Sequence, residues 1–375
     1  MEKEQFKQYL QEYIKLIALY LNNKEDPSFE VNKECMSFFY NLSKYHSLKA
    51  LLYQVLKNTK VSIKEDYLNR LEQDYLFNIR KSLAFEEERK ALYQYLDEQE
   101  IDYLPLKGIV IREYYPDPNT REFADNDILF GSGDKKIRDF FVKRGYKSEY
   151  FRKSNHDVYL KKPLFNFEMH RSLFGETGDN EVIVKYFDNY LSKAIVKENR
   201  EYYLSKEDFY IYFTAHSYKH FHQSGCGIRT LVDYYVYLKK EQLDLDYINQ
   251  ELEKIGLLEF SNKISSLSIK LFDQTELSEE EEEMLLFIAS SGTYGTLEHS
   301  VEKGVEEKGR FGYFMARVFP PYRFYKSAFP WAYKVPFLIP IAWMMRCFRV
   351  LFKNPKKAAS EIKLISQQKA DNNKD

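Results

Sequence analysis

The chain has 375 residues, with 56 Lys or Arg against 57 Asp or Glu and a net charge of −1. That length allows two domains with sizeable cores, and the near-neutral balance argues against a partner such as long DNA or RNA. With 44% hydrophobic and 30% charged residues the chain is globular rather than disordered. Cys35, Cys226 and Cys347 are odd in number and far apart, with no zinc spacing or disulfide framework. The opening MEKEQFKQYL has no apolar signal core. A reducing, cytoplasmic setting is expected.

Residues 3–100 read as helical. Phe6, Leu10, Ile14, Ile17 and Leu21 recur every three or four residues, as one helix face does. Leu48, Leu51, Leu52, Val55 and Leu56 mark another helix. A long one is expected from about 65 to 98, with Leu68, Leu71, Tyr75, Ile79, Leu83 and Phe85 on its apolar side. These helices carry no chemistry and are expected to pack against a sheet.

A short apolar run, 103–106, leads into Lys107 and Gly108. A helix is expected over 109–115, then a turn at 116–119, then the strand FADNDILF at 123–130. Side chains alternate along a strand, so Asp125 and Asp127 point the same way. Two such charges repel unless a cation or a shared proton lies between them. A D-x-D pair on an apolar strand therefore suits a divalent metal. Asn126 falls on the buried side of that strand. Gly108 would let phosphate oxygens approach backbone N–H groups at a helix end, with Lys107 as a second contact; the plain alternative is a surface lysine beside a turn glycine. Arg121 is placed to reach either the acids or a triphosphate.

A helix over 135–144 ends at Gly145, as glycine favours, and two or three strands follow. In the last, 163–170, Phe165, Phe167 and Met169 take one face; Asn166, Glu168 and His170 take the other. If this strand lies beside the first, Glu168 joins the two aspartates. Three carboxylates on adjacent strands can hold two Mg²⁺ ions for in-line transfer at a phosphate. His170 either orients Glu168 or is a satisfied structural histidine. His156 and Asp157 receive no role.

From 182 onward the chain reads helical again. Ser205-Lys-Glu-Asp208 resembles a capping box. The helix it opens carries His216 and His220 one turn apart, a zinc-compatible spacing that lacks a third ligand. Gly225-Cys226-Gly227 breaks it. The next helix, 228–240, carries Arg229 and Asp233 four apart, placed to pair with each other. Residues 278–283 are an acidic helix start, and 293–308 read as a loop. The tail beyond Arg310 is aromatic and proline-rich. Its uncharged run, 335–345, is shorter than the roughly 20 residues a spanning helix needs. Trp331, Trp343, that run, and Arg346, Arg349, Lys353, Lys356 and Lys357 resemble an interfacial helix with a basic flank. Packing within the protein is the preferred expectation and peripheral membrane contact the lesser one. The last residues, 367–375, are polar and expected to fray.

The order L-K-G, R-x(3)-D-x-D-x-L, apolar-E-x-H, then Ser205-Lys-Glu-Asp-Phe, His216-x(3)-His220 and Ile228-Arg-Thr-Leu-Val-Asp233 resembles the uncharacterised nucleotidyltransferase family of the polymerase-β-like superfamily, over roughly residues 65–350. The resemblance implies an α+β fold. A small mixed-sheet nucleotidyltransferase-like core at 101–180 would follow an N-terminal helical segment (1–100) and precede an all-helical domain (181–310) and the tail (311–375). It implies Mg-dependent transfer of an NMP from an NTP to a hydroxyl of a small molecule, sugar or protein, with pyrophosphate leaving. Asp125, Asp127 and Glu168 would hold two Mg²⁺ ions, Glu168 alternatively taking the acceptor's proton. Lys107, Gly108, Arg121, His170, His216, His220, Arg229 and Asp233 would face the nucleotide or acceptor. The chain departs from the superfamily pattern in having Lys107-Gly108 for Gly-Gly or Gly-Ser, a longer gap before the acids, and Asn126 for an apolar residue. The rival expectation is therefore a catalytically degenerate member that binds a nucleotide or a partner.

Overall fold

The computed structural model describes residues 3–26, 31–58, 65–175, 180–223, 225–293, 297–353 and 355–367. Helices α1 (Lys3–Leu21), α2 (Lys33–His46), α3 (Lys49–Asn58) and α4 (Glu65–Glu98) come first. Their apolar periodicity is used as expected in α1 and α3, where Leu10, Ile14, Ile17, Leu51, Leu52, Val55 and Leu56 are buried. In α4 it is not. Leu83 is exposed, and the buried face runs through Leu71, Asn78, Ser82, Phe85, Arg89, Leu92 and Leu96. Polar residues sit on that face because they find partners, which removes the cost of burying them. Asn78 donates to the Asn119 carbonyl at 2.6 Å, and Arg89 donates to Asn126 Oδ1 at 2.7 Å. A count of apolar residues cannot see such a face.

The strands are β1 (Tyr103–Pro105), β2 (Asn126–Phe130), β3 (Lys147–Glu149), β4 (His156–Lys161), β5 (Phe165–His170), β6 (Ile195–Glu198) and β7 (Glu201–Tyr203). Among the described residues they form one sheet in the order β3-β4-β5-β2-β1-β7-β6. The β2–β5 and β1–β7 pairings are parallel and the rest antiparallel. Residues 182–205 are thus not purely helical. β6 and β7 form a hairpin around Asn199, at φ 50, and extend the sheet beyond β1. Ile, Val and Tyr around a turn-prone Asn were the local signal for it. The helix expected over 109–115 is one α turn, α5 (Gly108–Ile111), followed by a 3₁₀ turn at Arg112–Tyr114.

Helix α4 and α6 (Asp134–Lys143) cover one face of the sheet. Phe85, Leu92, Ile137 and Phe141 meet Ile128, Phe130, Tyr159, Phe167 and Met169 there, with Phe141 stacked on Tyr159 at 4.3 Å. Leu104 and Leu129, on the other face, join the main core with the helices. That helical part comprises α7 (Glu181–Tyr186), α8 (Lys206–Gln223), α9 (Ile228–Lys240), α10 (Leu245–Lys254), α11 (Leu258–Asp273) and α12 (Glu279–Ser291). The Ser205 cap falls where expected, the Asp208 N–H donating to Ser205 Oγ at 3.0 Å; at the acidic helix start Ser278 with Glu281 closes a full capping box.

The tail forms α13 (Leu297–Val318), α14 (Tyr322–Ala328), α15 (Pro330–Lys334), α16 (Ile339–Lys353) and α17 (Pro355–Gln367). Much of the expected loop at 293–308 is therefore helix. Val301 is buried against Tyr313 and Ile365, and Gly309, at φ 69, kinks α13. The run 335–345 packs within the protein by one side only: Ala342 joins a small cluster with Tyr325, Phe329 and Ala332, and Leu338 and Ile339 pack against it. Ala342 is buried, but Phe337, Ile341, Met344 and Met345 are exposed. Among the described residues, α16 packs by one side. No helix among the described residues is long and apolar enough to cross a membrane. The terminal stretch expected to fray lies outside the described residues from 368 onward.

Candidate active site

Parallel pairing of β2 with β5 sets Asp127 directly opposite Glu168 and Leu129 opposite His170. Alternation puts Asp127, Glu168 and His170 on the face turned away from α4 and α6. Asp125, immediately before β2, shares their parity. Asn126, between the aspartates, points the other way, which is why Arg89 of α4 can satisfy it. Antiparallel pairing of β4 with β5 adds a residue that sequence reasoning left without a role: His156 stands opposite His170, ring centroids 4.9 Å apart. Alternation in β4 gave its face, but only the register names its neighbour.

Lys107 Nζ donates to Asp127 Oδ1 at 2.6 Å, and His170 Nε2 lies 2.8 Å from the same oxygen. Glu168 Oε2 is 3.7 Å from His156 Nε2 and 3.9 Å from His170 Nε2. Lys107 holds φ 48, ψ −116, a conformation that costs a non-glycine residue energy and persists only where its surroundings enforce it. The ion pair with Asp127 is such a constraint.

The acids respond in different directions. Burial alone would raise the Asp127 carboxyl, but Lys107 and the His170 hydrogen bond outweigh it and hold it below its ordinary range. Burial and then the Asp127 charge raise Asp125. Burial, then Asp127 and Asp125, push Glu168 up to about 7. Burial also opposes the Lys107 charge, yet Asp127, Tyr212, Asp125 and Glu168 hold the ammonium above its usual range. Two of the three carboxyls thus lack enough positive charge around them. An added cation would relieve them, so the donor set fits a divalent ion. His156, Glu168 and His170 also bring ligand atoms within 4.8 Å of one another, and His170 Nδ1 is buried without a partner among the described residues.

Helix α8 lies over this face. Burial, then Lys107 and His220, lower the His216 imidazole well below its usual value. Burial, then Lys107 and Lys219, bring His220 to about 4. Their Nε2 atoms are 3.2 Å apart. Lys219 and the buried Tyr212 belong to the same surroundings and were not singled out in sequence, since neither stands in a motif.

Four expected site residues are engaged differently. Arg121 is hydrogen-bonded elsewhere, although its charge acts on Asp125 from nearby: its Nε and Nη2 each donate to Asp233 at 2.8 Å, and both residues are buried. Asp233 also accepts from Tyr115 Oη at 2.7 Å. Its partner is therefore not Arg229, which donates to the Glu122 carbonyl at 2.9 Å and acts on Asp125 from nearby. Gly108 makes room for Arg121, whose Nη1 would lie 2.7 Å from an added Cβ. The four residues of α5 are also too short to form a strong anion-binding end. A separate cleft of about 1470 Å³, beside α4, is lined by Glu86, Arg89, Tyr93, Arg112, Tyr114 and Tyr237 among others and includes none of the acids.

The model of a family described as uncharacterised nucleotidyltransferase matches residues 33–273. That span begins at α2 and ends with α11. It starts earlier than the expected 65–350 and leaves out the tail. The chain matches no curated protein and no solved structure. The match covers more than half of the chain and takes in every strand among the described residues, all three acids and α8 with α9: the chain belongs to the uncharacterised nucleotidyltransferase family.

Proposed function

We propose that the chain transfers an NMP from an NTP to the hydroxyl of a small molecule, sugar or protein. The observation that carries this is the β2–β5 register, which gathers Asp127, Glu168 and His170 beside Lys107 and under α8. Asp125 and Asp127, with Glu168 beside them, would hold Mg²⁺. Such an ion, when bound, draws charge from the phosphate oxygens. Lys107 and Arg229 act on the acids and Lys219 on the neighbouring His220, positive charge suited to a triphosphate. Glu168, beside the two aspartates, would take the acceptor's proton. In the transfer the acceptor oxygen bonds to the α-phosphorus, its proton goes to Glu168, and the bond from the α-phosphorus to the bridging oxygen breaks. Pyrophosphate leaves.

A thermal-shift screen of the four NTPs, each with and without Mg²⁺, tests the binding half. At least one should stabilise the protein only with Mg²⁺, and Asp127→Asn should abolish that shift. No stabilisation by any NTP would sink the reading. One observation favours the rival, a nucleotide-binding member without turnover: Lys107 already neutralises Asp127. Mg²⁺-dependent pyrophosphate release from the NTP that binds, lost in Asp125→Asn and Asp127→Asn alike, separates the two. The double change should cost little more than either alone, because residues of one catalytic unit are not additive.

A further inference from the structure

Outside the family match, residues 308–360 contain eleven Lys or Arg and no Asp or Glu, so the remainder of a chain of net charge −1 carries −12. Within this basic stretch α16 is held by one side. Trp343 Nε1 donates to the Val318 carbonyl at 2.8 Å, and its ring stacks on Phe319 at 5.3 Å. Arg346 donates to the carbonyls of Arg317 at 2.7 Å and Val318 at 3.3 Å. Those are the last carbonyls of α13, which its own helix cannot pair. Ala342 is buried on the same side.

The opposite side faces outward. Phe337, Ile341, Met344, Met345, Phe348 and Phe352 recur every one to four residues along one stripe, with Phe348 63% and Phe352 76% exposed. Arg349 is exposed at its edge. This is a continuous apolar stripe rather than scattered surface residues. The 15-residue helix spans about 22 Å along its axis, too little to cross a bilayer but enough to lie in its surface.

We propose that this face of α16 docks in the plane of a membrane surface rich in anionic lipid. The Ile, Met and Phe side chains enter the boundary between headgroups and acyl chains, and the basic stretch meets lipid phosphates. A second copy is a poor occupant, because a two-fold interface would bring two copies of the same basic region together. A nucleic acid is a poor one as well, because Ile341, Met344 and Met345 offer neither a stacking plane nor a hydrogen bond.

Flotation of the full chain in physiological salt, with phosphatidylcholine vesicles with and without phosphatidylglycerol, tests the proposal. Most of the protein should float with the anionic vesicles and little with phosphatidylcholine alone. Phe348→Ser with Phe352→Ser should lower partitioning about tenfold, and Arg349→Glu about threefold, with circular dichroism unchanged since these side chains are exposed. Absence of flotation overturns the proposal, as does flotation indifferent to the paired Phe change. Displacement from vesicles by single-stranded RNA would assign the surface to nucleic acid. A dimer broken by the paired Phe change would assign it to a second copy.

Discussion

Asp127 and Glu168 face each other across the β2–β5 pairing, and their ionisation is driven in opposite directions. Lys107 and His170 keep Asp127 charged, and that charge then helps keep a proton on Glu168. Without a bound cation, one cluster thus holds a fixed anion beside a carboxyl that keeps its proton well above the usual carboxylate range.

This has a consequence for stability. Glu168 titrates at about 7 in the fold and near its ordinary 4.5 in the unfolded chain. Between those values the folded protein holds a proton the unfolded chain has lost, so this group's contribution to stability falls as pH rises through that window and stays low above it. Glu168→Gln removes the effect. In EDTA the variant should be more stable than the parent at pH 8 by up to about 3 kcal/mol, with the gap closing toward pH 4.5. Urea melts at both pH values check this; a gap that does not change with pH would refute it.

Histidines act with the opposite sign. Burial, the largest cause in each case, brings His46, His156 and His220 to about 4 from 6.5. Between pH 6.5 and 4 the unfolded chain takes up protons that the fold refuses, so stability is lost as pH falls through that range. His46 shows why. Its Nδ1 accepts the Ile228 N–H at 3.1 Å while its Nε2 sits 3.0 Å from the Ala289 carbonyl, an arrangement that only the neutral ring satisfies. His46→Gln should cost about 1–3 kcal/mol at pH 7.5 and make the acid side of the stability profile shallower. An unchanged acid slope would clear His46 of that role.

Arg121 and Asp233 tie the segment before β2 to α9 through two parallel hydrogen bonds. Removing one partner strands a buried charge. Asp233→Asn should therefore destabilise by about 3–5 kcal/mol, while Mg²⁺·NTP affinity of the folded fraction stays unchanged. Arg121→Met with Asp233→Leu should recover part of the loss. If Asp233→Asn instead leaves the melt in place and weakens nucleotide binding, the pair belongs to the cleft.

What could be read in the sequence was local. Backbone alternation has a fixed period of two, so the shared face of Glu168 and His170 needed no knowledge of neighbours, whereas the strand expected over 123–130 begins only at Asn126 and leaves Asp125 just outside it. Capping at Ser205 was legible for the same reason, since a cap is closed within a few residues of itself. Partners distant in sequence were not. Arg229 stands one helical turn from Asp233, yet the carboxylate goes to Arg121, 112 residues away, because folding buries those two together and a buried charge must be paired. The choice of β4 as the neighbour of β5 brought His156 to His170, and the attachment of β6–β7 to β1 drew strands from a stretch that read as helix. Strand order and register depend on which surfaces exclude water together, a property of the whole chain that no short window contains.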